Sequence, residues 1–203
     1  MTRLILIRHG ETKTNTKGKI HKYSDTEELT QNGVNQIEKA VKAIEKENPK
    51  IIFCSQEKRA RQSAQIVSKE LNIPLKEISG LEERNWGNYA GLSFQEIKAK
   101  AKMDNMSLDE RYNFVPPNGE SWKETEARLL NSLKKIISEN ENKTVILVTH
   151  GGSIRILMPH LLGVGREESF KYDPCNASIS IFDYINRKFT KVKYNDTSHL
   201  DNS

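Results

Sequence analysis

The sequence predicts a three-layer α/β sandwich, in which a largely parallel central sheet carries helices on both faces and an antiparallel hairpin at one edge. Two observations favour this class. Short apolar runs rich in branched residues, the first at 3–8 and a later one at 143–149, alternate with stretches of helical periodicity. Near the C-terminus, the runs at 177–184 and 188–194 alternate with period two around Ile185-Asn186-Arg187, which is typical of a hairpin.

The helices are predicted from apolar residues that recur at intervals of three and four. They cover about 34–44, 57–71, 93–101, 120–138 and 152–162. Thr30 is available to cap the first of them, and the second stops before Pro74 because helical dihedrals are disfavoured ahead of a proline. An apolar run at 51–54 predicts a strand between these two helices.

The segment from Met103 to Glu120 has few apolar positions and contains Pro116 and Pro117, so it is predicted to form a loop or lid. No linker, repeat or low-complexity stretch interrupts the chain, and residues 1–203 are therefore predicted to form a single domain. The polar stretch at about 195–203 is predicted to be a flexible tail.

Composition restricts the class of protein and its location. With 203 residues, 35% of them hydrophobic and 29% charged, the chain can build one substantial core beneath a polar surface. No apolar run approaches the roughly 18 residues of a membrane helix, and the first ten residues become charged too soon for a secretory signal. Cys54 and Cys175 lack metal-ligand spacing. A cytoplasmic protein with no membrane partner is expected.

The formal net charge is +5, which alone could suggest a nucleic-acid partner. The surplus is local, because residues 1–22 hold six lysines and arginines against one acidic residue while the rest of the chain is balanced. A local surplus on a neutral body fits a pocket that attracts a small anion, so no nucleic acid is expected as a partner. For Lys17, Lys19 and Lys22, a solvated loop is an equally good interpretation.

Polar residues suited to phosphate follow the predicted strands. The strands lead into Arg8 and His9, into Ser55 with Arg59 one helical turn later, and into His150. Because ligands bind at the carboxyl ends of the strands in open α/β sheets, we expect two histidines and two arginines on one rim.

These residue types point to phosphoryl chemistry without a metal. An arginine presents a planar fork of donors that matches phosphate oxygens in pairs, and two forks from different elements can hold a phosphoryl group while its charge spreads. A neutral imidazole in line with the phosphorus atom can take the phosphoryl group and later yield it to water. No metal ion and no cofactor are expected.

The run Arg8-His9-Gly10-Glu11-Thr12, with Asn15 three residues further on, resembles the signature of the histidine phosphatase superfamily, the group of phosphoglycerate mutases and acid phosphatases. The resemblance extends over about residues 3–185. The further matching residues, in the family's order and approximate spacing, are Leu29-Thr30, Gly33, Ser55, Arg59-Ala60, Gln62-Ser63-Ala64, Leu81, Glu83, Gly87, Gly91, Gly119-Glu120-Ser121 and His150-Gly151-Gly152.

The resemblance implies a role for each residue of the rim. His9 would become the transient phosphohistidine, while Arg8, Arg59 and His150 would hold the phosphate. Asn15 would serve as a secondary donor.

The resemblance also implies an amide donor and an acid. The Gly151 amide would be a secondary phosphate donor. Glu83 would protonate the leaving oxygen and then deprotonate the attacking water. The neighbouring Glu82 is the competing assignment, and the spacing from Glu83 to Gly87 favours Glu83.

Members of this family either hydrolyse the phosphohistidine or return its phosphoryl group to a retained substrate. Chains that resemble the cofactor-dependent mutases have a tryptophan just before the asparagine and a lysine shortly after the glycine that matches Gly91. In this chain Thr14 stands at the tryptophan position and Phe94 at the lysine position. Hydrolysis is therefore favoured over a mutase. A non-catalytic phosphate-binding scaffold is the second alternative, although the chain keeps every residue that the chemistry needs.

The substrate is expected to be a small phosphorylated molecule. Arg84 and the basic segment near Lys19 and Lys22 suggest that it carries a second negative group, and Arg84 is predicted to bind it. The apolar helix faces serve a core or a dimer equally well, so the oligomeric state stays open.

Overall fold

The computed structural model describes residues 1–23 and 26–201. Over these residues the strands are β1 Thr2–Arg8, β2 Ile51–Cys54, β3 Leu75–Glu77, β4 Thr144–Thr149, β5 Ile179–Ile185 and β6 Lys188–Asp196. The α-helices are α1 Lys13–Thr16, α2 Gln31–Ile44, α3 Lys58–Leu71, α4 Phe94–Lys100, α5 Leu108–Asn113, α6 Trp122–Glu139 and α7 Gly151–Leu162. None of them is long and apolar enough to cross a membrane.

The strands form one mixed sheet in the order β3-β2-β4-β1-β5-β6. The pairs from β3 to β1 are parallel, and β5 and β6 add an antiparallel hairpin beside β1. This arrangement confirms the predicted sheet. The short strand β3 was not predicted, because Lys76 and Glu77 lie exposed at the sheet edge and leave no apolar run to signal it.

Helices cover both faces of the sheet, which confirms the predicted three layers. In β1, Ile5 and Ile7 enter the core beneath α2 and α3, while Leu4 and Leu6 enter the core beneath α6 and α7. This alternation follows from the two-residue period of a strand, and a central strand that is buried on both sides must be apolar throughout. Thr30 caps α2 as predicted, since its side chain accepts a hydrogen bond from the Gly33 amide.

The segment predicted as a loop or lid from Met103 to Glu120 contains more regular structure than expected. A short 3-10 turn at Met103–Asn105 and the helix α5 interrupt it. Ser107 and Glu110 form a reciprocal capping box at the start of α5, and such local polar pairs specify a helix that apolar periodicity does not reveal.

The described part of the segment predicted as a flexible tail makes contacts with the rest of the chain. β6 continues to Asp196, the His199 ring nitrogen Nε2 lies 3.1 Å from the Ala177 carbonyl oxygen, and Lys39 donates to the Leu200 carbonyl at 3.4 Å. Residues 195–201 therefore contact the rest of the chain through polar groups, which a hydrophobic pattern does not register. The end of the predicted tail, at 202–203, lies outside the described residues.

Candidate active site

The structure brings the predicted histidines and arginines together at the carboxyl ends of the parallel strands. Arg8 and Thr149 are register partners in β1 and β4, so the residues that follow them, His9 and His150, lie side by side with ring centroids 5.3 Å apart. Arg59 reaches the same point from the first turn of α3, where its Nε donates to Nε2 of His9 at 3.3 Å.

His9 is held in one tautomer. Its side chain is buried, and its Nδ1 lies 2.7 Å from the Gly10 carbonyl oxygen. A carbonyl can only accept a hydrogen bond, so Nδ1 carries the proton and Nε2 keeps its lone pair. Burial, together with the positive charges of Arg59 and Arg8 and the proximity of His150, lowers the pKa of His9 well below its ordinary value of 6.5. The imidazole is therefore neutral and its Nε2 is nucleophilic.

The turn after β1 requires glycine because two backbone segments pass very close together. A Cβ on Gly10 would overlap the carbonyl group of Gly33, and a Cβ on Gly33 would overlap the backbone of Glu11. Both glycines belong to the motifs named above. Their role is to let the His9 segment lie against the start of α2.

Arg8 has an unsatisfied donor at the site. Its Nη1 donates to the Pro174 carbonyl oxygen at 2.6 Å, whereas its Nε is buried and has no hydrogen-bond partner among the described residues. Burial lowers the pKa of Arg8 below its ordinary value. A buried guanidinium N–H without an acceptor is costly, so this atom marks a place that an anion would satisfy.

Glu57 is a member of the site that the sequence did not reveal. Its carboxylate oxygen Oε2 lies 2.7 Å from Nε2 of His150 and 3.0 Å from Nη2 of Arg59, and it accepts from the Glu83 amide at 3.1 Å. The residue is 4% exposed. Burial opposes its ionisation, but His150 and Arg59 outweigh that effect and hold the pKa of Glu57 well below its ordinary value.

The sequence signal for Glu57 is weak because it precedes a helix. An acidic residue there is expected to cap the helix or to favour its dipole. The side chain of Glu57 makes no capping hydrogen bond and turns instead toward His150, which lies 93 positions further along the chain.

The structure separates the two candidate acids. Glu83 lines the cleft, where its Oε2 accepts from the Gly152 amide at 2.8 Å and its Oε1 from the Arg84 amide at 2.9 Å. Glu82 instead accepts from the Gly80 amide at 2.7 Å and lies 3.7 Å from Nη1 of Arg128. The carboxyl group that faces the cleft is thus the one favoured by the sequence.

The secondary residues differ in how free they are to bind a ligand. Asn15 and Gly151 both line the cleft. Arg84 also lines it, but its Nε and Nη2 already donate to the Glu120 and Phe114 carbonyl oxygens at 2.9 and 2.8 Å, with the guanidinium 4.2 Å above the Trp86 ring. Nε and Nη2 of Arg84 are therefore already used in hydrogen bonds within the protein.

His21 lines the cleft, and the sequence assigned it no role. Its Nε2 lies 2.8 Å from Oγ1 of Thr12 and 3.0 Å from the Glu27 carboxylate, and its ring centroid is 5.8 Å from that of His9. Burial, Arg59 and His150 lower the pKa of His21 to about 3. It is therefore neutral and adds no charge to the site.

These residues surround a cleft of about 300 Å³. His9 lies in its lining, whereas Arg59 and His150 lie behind His9 and are fully buried. Lys19 borders the cleft, and Lys22 lines separate surface depressions. The volume fits a small molecule.

A neutral histidine flanked by arginines at the ends of parallel strands is an arrangement that can accept a phosphoryl group on nitrogen. A model of the histidine phosphatase superfamily (branch 1) matches residues 4–197, and the chain belongs to that family. The family resemblance predicted from the sequence, and with it the prediction of an enzyme, is confirmed.

Three similar proteins illustrate the relationship. The uncharacterized phosphatase PhoE of Bacillus subtilis is 30% identical over 98% of this chain and 97% of its own length. A 2,3-bisphosphoglycerate-dependent phosphoglycerate mutase of Cytophaga hutchinsonii is 29% identical over 97% of this chain and 92% of its own. The crystal structure of a phosphoserine phosphatase mutant from Entamoeba histolytica, in complex with phosphoserine, has a TM-score of 0.86 and 30% identity and covers 98% of this chain and 100% of that one.

Proposed function

We propose that the enzyme hydrolyses small phosphorylated metabolites through a phosphohistidine formed on Nε2 of His9. The observation that carries the proposal is the fixed tautomer of His9. The Gly10 carbonyl holds the proton on Nδ1, so Nε2 carries the lone pair; Arg59 Nε donates to it at 3.3 Å, and a phosphoryl group would replace that contact.

The reaction takes place in two halves. In the first half, Nε2 of His9 attacks phosphorus, the bond from phosphorus to the leaving oxygen breaks, and the leaving oxygen takes a proton from the carboxyl group of Glu83. In the second half, water attacks the phosphohistidine and gives its proton to the Glu83 carboxylate. The phosphorus–nitrogen bond breaks, inorganic phosphate leaves, and both side chains return to their starting states.

The phosphoryl oxygens are held by donors from four elements. Arg8 contributes its unsatisfied Nε, and Arg59 lies against the attacking ring from the other side. Gly151 is the first residue of the 12-residue helix α7, so its amide and the helix dipole both favour an anion. The side chain of Asn15 lies at the mouth of the same cleft.

Glu57 acts as a positioning residue in this scheme. Because a carboxylate only accepts hydrogen bonds, Nε2 of His150 carries a proton toward it, while the buried Nδ1 has no hydrogen-bond partner among the described residues. The same carboxylate anchors the Arg59 guanidinium and the Glu83 backbone. One buried side chain thus holds three of the groups that the reaction uses.

A mutase is the second candidate function, favoured by the similarity to the Cytophaga enzyme. The cleft argues for hydrolysis. Phe94, which occupies the position of the mutase lysine, lines the cleft and supplies no cation there for a bisphosphorylated cofactor.

The deciding experiment measures phosphate release from a panel of phosphomonoesters in EDTA. A parallel assay follows the conversion of 3-phosphoglycerate to 2-phosphoglycerate after priming with bisphosphoglycerate, and the His9→Ala variant serves as the blank. We expect phosphate release that EDTA does not reduce, with negligible isomerisation. Isomerisation faster than phosphate release would establish the mutase, and silence in both assays would favour a non-catalytic scaffold.

A further inference from the structure

A second cavity of about 350 Å³, called here the outer cavity, lies next to the catalytic cleft. The two cavities share six lining residues, Arg84, Trp86, Phe94, Trp122, Arg155 and Asp173. The outer cavity then extends to Lys98 on α4, Arg111 on α5 and Phe170. The two cavities are therefore neighbours, with these side chains at their common boundary.

Aromatic rings form much of the shared boundary. The Trp86 and Phe94 ring centroids lie 6.0 Å apart, and those of Trp122 and Phe170 lie 5.3 Å apart. Phe94 and Phe170 remain 40% and 42% exposed, which is high for large apolar side chains. A flat or apolar part of a ligand would cover this surface.

The charge on the outer cavity is positive, since four cations and one acidic residue line it. Three of the cations already have partners: Arg84 donates to Phe114 and Glu120, Arg155 to Tyr172 and Asp173, and Lys98 pairs with Asp104. The fourth cation, Arg111, is different. Its Nε is buried and has no hydrogen-bond partner among the described residues.

Arg111 therefore resembles Arg8. Each has a buried Nε without a partner in the part of the chain that the structure describes. Of these two cavities, Arg8 lines only the catalytic cleft, and Arg111 lines only the outer cavity. Buried donors are normally satisfied, so two such arginines in neighbouring cavities point to a ligand with two anionic groups.

We propose that Arg111 binds a second anionic group of the substrate, while the part of the substrate between that group and the phosphoryl group lies against Trp86 and Trp122. This inference rests on the proposed function and names its substrate class, which is phosphomonoesters whose leaving group carries a flat or apolar portion and an anionic end. The sequence suggested a second negative group from Arg84 and the basic segment near Lys19 and Lys22; in the structure, Nε and Nη2 of Arg84 donate to backbone carbonyls. The proposal also assigns a role to α5 in the segment from Met103 to Glu120.

The test uses pairs of aryl phosphates that differ only in a carboxylate. Phenyl phosphate is compared with its 4-carboxy and 4-carboxymethyl derivatives, so that two distances from the ring are sampled. The variants are Arg111→Gln, Arg111→Lys and the matched control Arg61→Gln, an arginine on α3 that pairs with Glu77 at the surface and does not line either cavity. The readout is the ratio of kcat/KM for a carboxylated ester to that for phenyl phosphate.

We expect the wild-type enzyme to prefer at least one carboxylated ester by about ten-fold, the value for one charged hydrogen bond. Arg111→Gln should remove that preference, Arg111→Lys should restore part of it, and Arg61→Gln should retain it. Since all variants meet the same leaving groups, differences in leaving-group acidity cancel from the comparison. No preference in the wild type, or an equal preference in Arg111→Gln, would overturn the proposal.

A binding measurement separates this inference from the proposed function. Titration calorimetry with the His9→Ala variant, and with His9→Ala combined with Arg111→Gln, gives the dissociation constants of the same esters without turnover. Hydrolysis without any carboxylate preference would leave the phosphatase standing and overturn the Arg111 site. Carboxylate-dependent binding that Arg111→Gln abolishes, with no hydrolysis of any ester, would support the site and contradict the proposed reaction.

Discussion

The two ends of the cleft are built in different ways. At the phosphoryl end, His9, Glu57, Arg59 and His150 follow strand ends, are at most 4% exposed and contact one another at 2.7 to 3.3 Å. The outer cavity is instead formed by the short helices α4 and α5 and by partly exposed aromatic rings.

This difference suggests that the phosphoryl end carries out the reaction and that the outer cavity selects the substrate. Sheet register fixes the strand ends, so the reacting groups are held by the hydrogen-bonded sheet. Short surface elements can change without disturbing that register. Substitutions at the phosphoryl end should therefore change turnover for every substrate, whereas substitutions in the outer cavity should change which substrate is preferred.

The largest effect is expected for His9→Ala. The substitution removes the only atom proposed to form a bond with phosphorus, so phosphate release should fall by at least about 10³-fold. Circular dichroism and thermal unfolding would show whether the fold is kept. Activity above trace levels in a folded variant would contradict the assignment of the nucleophile.

Glu83→Gln should have the next largest effect, and its size should depend on the leaving group. Alkyl phosphates need a proton on the leaving oxygen, so their kcat should fall by about 10²- to 10⁴-fold. Nitrophenyl phosphate has a good leaving group and should lose far less. Glu82→Gln is the matched control, since Glu82 contacts Gly80 and Arg128 outside the cleft. If Glu82→Gln shows the leaving-group dependence and Glu83→Gln does not, the wrong acid has been chosen.

Glu57→Gln should have a moderate effect on both activity and stability. The substitution keeps the shape but removes the charge between His150 and Arg59, so kcat/KM should fall about ten-fold and the free energy of unfolding by about 1 to 3 kcal/mol. The matched control is Glu77→Gln, whose surface pair with Arg61 should be worth less than about 1 kcal/mol.

The stability difference at Glu57 should depend on pH with a defined sign. Because the pKa of Glu57 is lower in the folded protein than its ordinary value of 4.5, its charge stabilises the fold above that pH. The advantage of wild type over Glu57→Gln should be present at pH 7 and should shrink as the pH falls below 4.5 toward the folded-state pKa. Denaturant unfolding at pH 7 and at pH 3.5 measures it, and a difference that grows toward acid would refute the assignment.

The sequence predicted the phosphoryl end better than the outer cavity, for a physical reason. Arg8, His9 and His150 lie next to strands whose apolar runs are continuous, so finding the strands also located the residues. Glu57 was missed because its partner, His150, is distant in the chain. The register of β1, β2 and β4 brings the two residues together.

The outer cavity lacked such a signal. The helix α5 is specified by the capping pair of Ser107 and Glu110, and it carries no apolar stripe. The unsatisfied state of Arg111 is a property of three-dimensional packing, and no sequence pattern encodes it. The sequence suggested a second negative group on the substrate from Arg84, Lys19 and Lys22, but it could not show that Nε and Nη2 of Arg84 donate to backbone carbonyls.

The smallest effect is expected in the titration of His9, whose protonation state should not change near neutral pH. Desolvation and the adjacent Arg59 hold the pKa of His9 well below 6.5, so its ring should stay neutral from pH 8 down to pH 6. Histidine ring NMR, assigned by comparison with His9→Ala, should show no change in His9 shifts across that range. An Arg59→Gln variant removes one positive charge at 3.3 Å and should move the midpoint upward, toward the ordinary value. A midpoint near 6.5 in the wild-type enzyme would mean that a substantial fraction of His9 is protonated near neutral pH. The phosphoryl end of the cleft would then lack a fully neutral nucleophile, which is the feature that distinguishes it from the outer cavity.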